Sequence, residues 1–248
     1  MEQMIYISGG DVLLKDARRK SERTVSLEPF EISDTPVSVE QFKLGYVENN
    51  SAETKPVPAR NIRWLDTIQW CNQSSIQAGL EPPYRIEDTE VIWDPLANGY
   101  RLPTEAEWVY ASQAGTLGSR YGNLMDIAWT EIDEVNEPQP MGLKNPNAYG
   151  LYDTLGNVWE WCWDRLDTAR YGNYRLLKGG GWADPEWSVR VGVRRGDAPD
   201  AILEDVGFRV ARGVVLDSDS YQGWSEFVDR ERASTRQALP VGWTPLRF

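Results

Sequence analysis

Carboxylates, two cysteines and many tryptophans are the residues of this chain that could carry chemistry, and the residue that most often does is missing. The sequence has no histidine. Serine–histidine–aspartate triads, cysteine–histidine dyads, two-histidine iron sites and most zinc sites are thereby excluded. The two cysteines, Cys71 and Cys162, either pair or stand as separate buried thiols. Two thiols so far apart make no disulfide framework, which favours the second reading. Any metal would be held by oxygen or by these thiols. Glu105 and Glu107 form a carboxylate pair of the kind acid–base catalysis uses. They follow Pro103-Thr104, however, and Thr104 with Glu107 has the spacing of a capping box, so they read as the start of a helix. Twelve tryptophans stand against five phenylalanines. A buried indole N–H needs a partner, so many of these rings are expected half-buried, lining a groove or a second layer around a small core.

The chain has 248 residues, 41% of them hydrophobic and 26% charged. That is the make-up of an ordinary soluble globular protein with ample length for a core. The formal net charge of −12 repels phosphate backbones, so nucleic acid is not an expected partner, whereas cations, calcium among them, are attracted. The first sixteen residues show no basic start, no long apolar run and no small-residue cleavage site, and no stretch approaches a membrane span. The expectation is a chain without signal peptide or membrane insertion, cytoplasmic as made or carried in a virion or other assembly.

The elements that would position these residues follow from pattern. Residues 4–8 read as a strand closed by Gly9-Gly10, and residues 22–33 as a second around Val25, Leu27, Phe30 and Ile32. Ser38 and Gln41 make a capping box for a short helix. A longer helix is expected over 64–80, with Trp64, Ile68, Cys71 and Ile76 near one face and Gly79 near the end. Residues 84–97 read as a hairpin turning at Asp88, and a third helix runs from Thr104 to about Ala114, where Gly115 ends it. From Gly115 to about Asn147 the chain is irregular, and a loop of that length in a compact domain is usually functional or ordered by a metal. Strands are expected at 157–163, 174–178, 188–194 and 206–211, with Val189, Val191 and Val193 facing one way. Past Gly213 the character changes. Residues 1–213 form one domain, and residues 214–248 are a tail that packs back on it or docks on a partner.

Six blocks in order carry a resemblance. They are Phe30-Glu-Ile-Ser-Asp-Thr-Pro-Val-Ser38, Trp64 to Asn72, Gly99-Tyr-Arg-Leu-Pro-Thr-Glu-Ala-Glu-Trp108, Asn147-Ala-Tyr-Gly-Leu-Tyr-Asp-Thr-Leu-Gly-Asn-Val-Trp-Glu-Trp161, Lys178-Gly-Gly-Gly-Trp182 and Gly207-Phe-Arg209. Together they resemble the formylglycine-generating-enzyme, or sulfatase-modifying-factor, family over roughly residues 4–212. The resemblance implies an α+β fold related to C-type lectins, with small sheets, few helices and much irregular loop.

Active members of that family are copper-dependent oxidases that bind Cu(I) through two cysteines after a Gly-Gly-Ser motif. Soft thiolates suit Cu(I), so the chemistry needs both. Here the corresponding stretch, Gly181-Trp-Ala-Asp-Pro-Glu-Trp-Ser-Val-Arg190, holds no cysteine, Gly181 replaces the serine, and no copper is expected. The family's sulfoxide synthases use histidine-held iron, which this chain cannot build. The resemblance also implies calcium: a first site from the Asp153 and Glu160 carboxylates with the Gly156 and Val158 carbonyls, and a second starting from Asp126 and the Ile127 carbonyl. The second site's further carboxylate, among Asp133, Glu134 and Glu137, is not placed by the shortened loop. The segment 181–195 would line the groove that binds substrate peptide in active relatives and ligands in lectin-fold variable proteins. Trp182, Asp184, Trp187, Arg190 and Arg194 are its candidate contacts, since exposed Trp and Arg are typical interface anchors. The sum is a non-catalytic recognition module for a protein, peptide or glycan, serving as an assembly or surface component of phage or bacterial kind. The alternatives are an enzyme with chemistry other than copper oxidation, or an accessory partner of an active relative.

Overall fold

The computed structural model describes residues 3–16, 21–45, 55–88 and 90–216. Most of the expected tail, residues 217–248, lies outside them. The N-terminal region gives two antiparallel pairs. Strand β1 (Met4–Ile7) pairs with β4 (Phe30–Ser33), and between them β2 (Gly10–Asp16) pairs with β3 (Ser21–Leu27) as a hairpin of its own. The expected single strand over 22–33 is therefore two, because Glu28-Pro29 breaks it and sends the second half into another sheet. Gly9, read as a turn, must be glycine: its φ is +76°, and a Cβ there would sit 2.3 Å from the Leu27 carbonyl oxygen.

Helix α1 (Val39–Leu44) starts at the Ser38/Gln41 capping box. Helix α2 (Trp64–Gln77) buries Trp64, Ile68 and Cys71 but leaves Ile76 65% exposed, so the apolar stripe stops one turn short of the expected end. The hairpin of β5 (Tyr84–Glu87) and β6 (Glu90–Trp93) turns at Asp88 in the left-handed region. Helix α3 (Glu105–Gln113) carries the Thr104/Glu107 capping box and ends at Ala114 and Gly115, both of positive φ. The irregular stretch after it holds only α4 (Leu124–Ile127) and a 3-10 turn at Glu131–Asp133.

A four-stranded sheet organises the rest. Strand β7 (Trp159–Arg165) lies between β10 (Val206–Gly207), parallel to it, and β8 (Arg175–Lys178), antiparallel; β8 pairs outward with β9 (Arg195–Asp197). A one-turn helix, α5 (Thr168–Tyr171), joins β7 to β8, and β11 (Ala211–Arg212) completes the β1–β4 sheet. The expected strand over 188–194 is absent. Those residues form turns that bury Val189 and Val191 and leave Val193 half-buried, and the ladder begins only at Arg195.

Strand β7 is buried on both faces and divides the interior. Trp159, Trp161 and Trp163 point to one core, with Trp64, Trp70, Trp93 and Phe208; Cys162 points to the other, with Trp108, Leu155 and the β2–β3 valines. The tryptophans are thus mostly core residues, contrary to the half-buried expectation. Three of the core indoles donate to backbone carbonyls in place: Trp64 to that of Cys162, Trp70 to that of Gln41 and Trp161 to that of Ile62, each within 3.0 Å. No helix among the described residues is long and apolar enough to cross a membrane.

Candidate functional site

The capped start of α3 turns its carboxylates inward. Glu107 accepts two bonds of 2.6 Å from the Arg101 guanidinium, both side chains being buried. Glu105 accepts from Arg194 Nε at 2.8 Å and lies 3.6 Å from Lys178 Nζ, while its own backbone N–H donates to Asp164 Oδ2. Neither glutamate is free for acid–base work. Burial, then the Glu105 charge beside it, pushes the Asp164 carboxyl up to about 7, and burial draws the Lys178 ammonium below its usual range.

Strand β7 presents Glu160 to the same interior. Its carboxylate receives Arg209 Nε and Nη2, both at 2.7 Å, and Trp108 Nε1 at 2.6 Å. Asp153, in the left-handed turn before β7, accepts from the Gly142 N–H at 2.7 Å and from Asn157 Nδ2 at 3.3 Å, and burial pushes it up to about 6. Gly156 is required by close approach, since a Cβ would sit 2.3 Å from the Trp129 carbonyl oxygen. Both carboxylates of the implied calcium set are thus engaged within the chain. The charge of Glu160 is already neutralised by Arg209, Asp153 is tied into the turn, and among the described residues no group of three or more Cys, Asp or Glu is placed to hold a metal ion. The Asp126–Ile127 set is likewise hydrogen-bonded within the chain. The Asp126 carboxylate accepts from Asn123 Nδ2, the carbonyls of Asp126 and Ile127 accept from Asn145 N–H and the Tyr121 hydroxyl, and the neighbouring carboxylate Asp133 pairs with Lys144 at 2.7 Å.

Copper is no better served. Cys71 and Cys162 are free, buried on opposite sides of β7, and raised in pKa by burial, the reverse of what a thiolate ligand requires. The open alternative of a disulfide thereby closes toward two separate thiols.

The segment 181–195 is a loop held from both ends. Inside it, Asp184 accepts from the Gly181 N–H at 2.7 Å, Trp159 Nε1 at 2.6 Å and the Ser188 hydroxyl at 3.1 Å. Across from it, Arg120 donates Nη1 to Glu186 Oε1 at 2.8 Å, Nε to the Val189 carbonyl at 2.9 Å, and Nη2 to the Glu186 carbonyl. Of the five candidate contacts, Asp184 is therefore the clamp of the loop, and Arg194, its side chain 10% exposed, is an ion-pair partner of Glu105. Trp187, 70% exposed, and Arg190 face solvent. Trp182 is half-buried and lines a cleft of about 480 Å³ with Asn61, Arg195, Ile202, Leu203, Glu204 and Asp205. Arg195 pairs with Asp205 at 3.2 Å across that cleft, and burial raises the Asp205 carboxyl. Arg195, Glu204 and Asp205 escaped sequence reasoning, because they come from a stretch with no period. The anchoring cations Arg101, Lys178 and Arg209 were visible as lone basic residues inside apolar blocks.

A family model for the sulfatase-modifying factor enzyme 1-like domain matches residues 1–214. Chaperone protein LppX from Paenibacillus barcinonensis is 27% identical over 253 residues, covering 85% of this chain and 89% of that one. The mouse protein named inactive C-alpha-formylglycine-generating enzyme 2 is 26% identical, covering 84% of this chain and 85% of its own. Among solved structures, Treponema denticola variable protein 1 superposes with a TM-score of 0.75 at 28% identity, covering 85% of this chain and 95% of that one.

Proposed function

The chain belongs to the sulfatase-modifying-factor family, and on that premise we propose that it is a recognition module without catalysis of its own. Its ligand, a protein, peptide or glycan, is taken on the face built from the 181–195 loop and the adjoining cleft. The observation that carries this reading is the pairing of an exposed tryptophan with a fixed backbone. Trp187 stands in solvent on a loop clamped by Asp184 from within and by Arg120 from across. A large apolar side chain left exposed on so well-tied a loop is the arrangement of an interface anchor, whose ordering is largely complete before the partner arrives.

Three further points support the same reading. The loop that would need two soft thiolates for copper chemistry has none, and both cysteines are in the cores. The names of two relatives, a chaperone and an inactive enzyme, describe roles other than oxidation in those proteins. The net charge of −12 favours cationic over phosphate-bearing partners. A component of a larger assembly or surface is the setting that suits such a module.

The test is a selection of displayed random peptides, with a glycan array in parallel, against the full chain and against Trp187→Ala/Arg190→Ala. Binders should be enriched on the wild type and lose at least tenfold in affinity on the double variant, whose melting temperature stays unchanged. Equal binding to both proteins would move the site elsewhere. Copper-dependent oxidation of a cysteine-containing peptide by the wild type would sink the non-catalytic reading altogether.

A further inference from the structure

We propose that the cleft beside the 181–195 loop receives a cationic side chain, lysine or arginine, of a protein partner. This rests on the reading of that face as a recognition surface and names the chemistry of what it recognises. The cleft, of about 480 Å³, has aromatic and aliphatic walls and two carboxylates, Glu204 and Asp205. Trp182 and Leu203 are half-buried and Ile202 is 62% exposed. Such walls suit the methylene stem of a long basic side chain, and an indole face attracts its charged end.

The charges around the cleft do not balance. Arg195 is the one basic group among the described residues that line it. It is already engaged, with Nη1 3.2 Å from Asp205 Oδ2 and its guanidinium 5.4 Å from the centre of the Trp159 ring. Glu204 is exposed, and among the described residues no ion pair reaches it. Asp184 adds a third carboxylate. A Cβ on Gly181 would sit 3.3 Å from Asp184 Oδ2 and 3.3 Å from Asp205 Cβ, so the two acids flank one glycine. The bonds Asp184 accepts, from Gly181, Trp159 and Ser188, come from neutral donors and leave its charge uncompensated. Three carboxylates therefore share one guanidinium. Burial raises the Asp205 carboxyl, Arg195 pulls it back only in part, and the Asp184 charge lifts it again. An arriving ammonium or guanidinium supplies the missing charge and pairs with Glu204, the carboxylate left free. The net charge of −12 steers such a partner inward and turns an acidic one away.

The experiment follows the backbone amide and indole N–H resonances of the isotopically labelled full chain by nuclear magnetic resonance. It is titrated to millimolar concentration with the blocked peptide Gly-Gly-Arg-Gly-Gly, with the same peptide carrying neutral citrulline in place of arginine, and with free arginine. The arginine peptide should move the Trp182 indole signal and the amides of residues 202–205, and the citrulline peptide should leave them in place. Glu204→Gln, a change at an exposed position, should weaken the arginine peptide about fivefold without altering the fold. Signals that stay put with the arginine peptide, equal shifts with citrulline, or full affinity in Glu204→Gln would each overturn the proposal. Free arginine that binds as tightly as the peptide would overturn it too, by assigning the cleft to a small amine. The same titration of Trp187→Ala/Arg190→Ala separates this proposal from the wider reading of the face. Persisting shifts at 202–205 leave the cleft standing even where the exposed tryptophan fails as an anchor, and their loss would place the cation outside the cleft.

Discussion

At the scale of single residues, the buried carboxylates divide by whether a guanidinium faces them squarely. Glu107 and Glu160 each take two short bonds from an arginine. Asp164 accepts the Glu105 N–H at 2.6 Å but has no guanidinium bonded squarely to it and sits beside the Glu105 charge, so burial and repulsion together push it up to about 7. The folded value lies above the ordinary aspartate value of 3.8. The native state therefore holds this proton more tightly than the unfolded chain does. The stability it contributes is complete below about pH 4 and is lost as the pH rises through 7. Asp153, raised to about 6, acts in the same direction. Asp164→Asn keeps an acceptor for the Glu105 N–H and removes the titration. Unfolding free energies of the wild type from urea titrations should fall between pH 5 and pH 8, and those of the variant should fall less, by an amount on the order of a few kcal/mol. Parallel curves for the two proteins would show that Asp164 does not carry the effect.

At the scale of elements, α3 is where sequence and structure agree best. Thr104 and Glu107 announced a capping box, and the box is present, but only the fold shows that Glu107 also receives Arg101. Removing one partner of such a buried pair strands the other charge, so Glu107→Ala should cost about 3–5 kcal/mol in urea unfolding. A loss below about 1 kcal/mol would mean that the cap alone matters. Elements with local signals of this kind were legible: the Ser38/Gln41 cap, the Asp88 turn and the strand at Trp159–Arg165. The 188–194 segment was not. Its alternating valines bury two of three side chains from a chain of turns, and what dictates the turns is Asp184 and Arg120, the second more than sixty residues away. Strand β2 is not legible because Gly9-Gly10 reads as an end in the sequence, whereas its positive-φ geometry leads into a hairpin. The candidate site shows the same division. All five candidates follow from type and position, Arg194 with a structural ion pair as its other reading, but the sequence does not name the partners that turn two of them inward, Trp159 for Asp184 and Glu105 for Arg194.

At the scale of the whole molecule, the two cores share one strand pair. On β7, Trp161 belongs to one core and Cys162 to the other; on β8, Leu177 and Leu176 divide in the same way. Neither core can lose its packing without exposing a strand that the other buries. Trp108 adds a second link: its ring packs in the core of β2 and β3 while its N–H bonds Glu160 on β7, whose partner Arg209 lies between Phe208 and Val210 of the other core. Unfolding should therefore be a single transition despite the division. Leu176→Ala and Leu177→Ala test this, each deleting buried methyl groups on one side only, for an expected loss of about 2–5 kcal/mol. Tryptophan fluorescence reports mainly the core rich in indoles, and hydrogen exchange of the β2–β3 ladder reports the other. If the cores are coupled through β7 and β8, both variants shift both signals by equal amounts, because one equilibrium governs the whole. If Leu177→Ala lowers the fluorescence midpoint and leaves the ladder protected, the tryptophan core opens by itself and the shared strands are not enough to join the two.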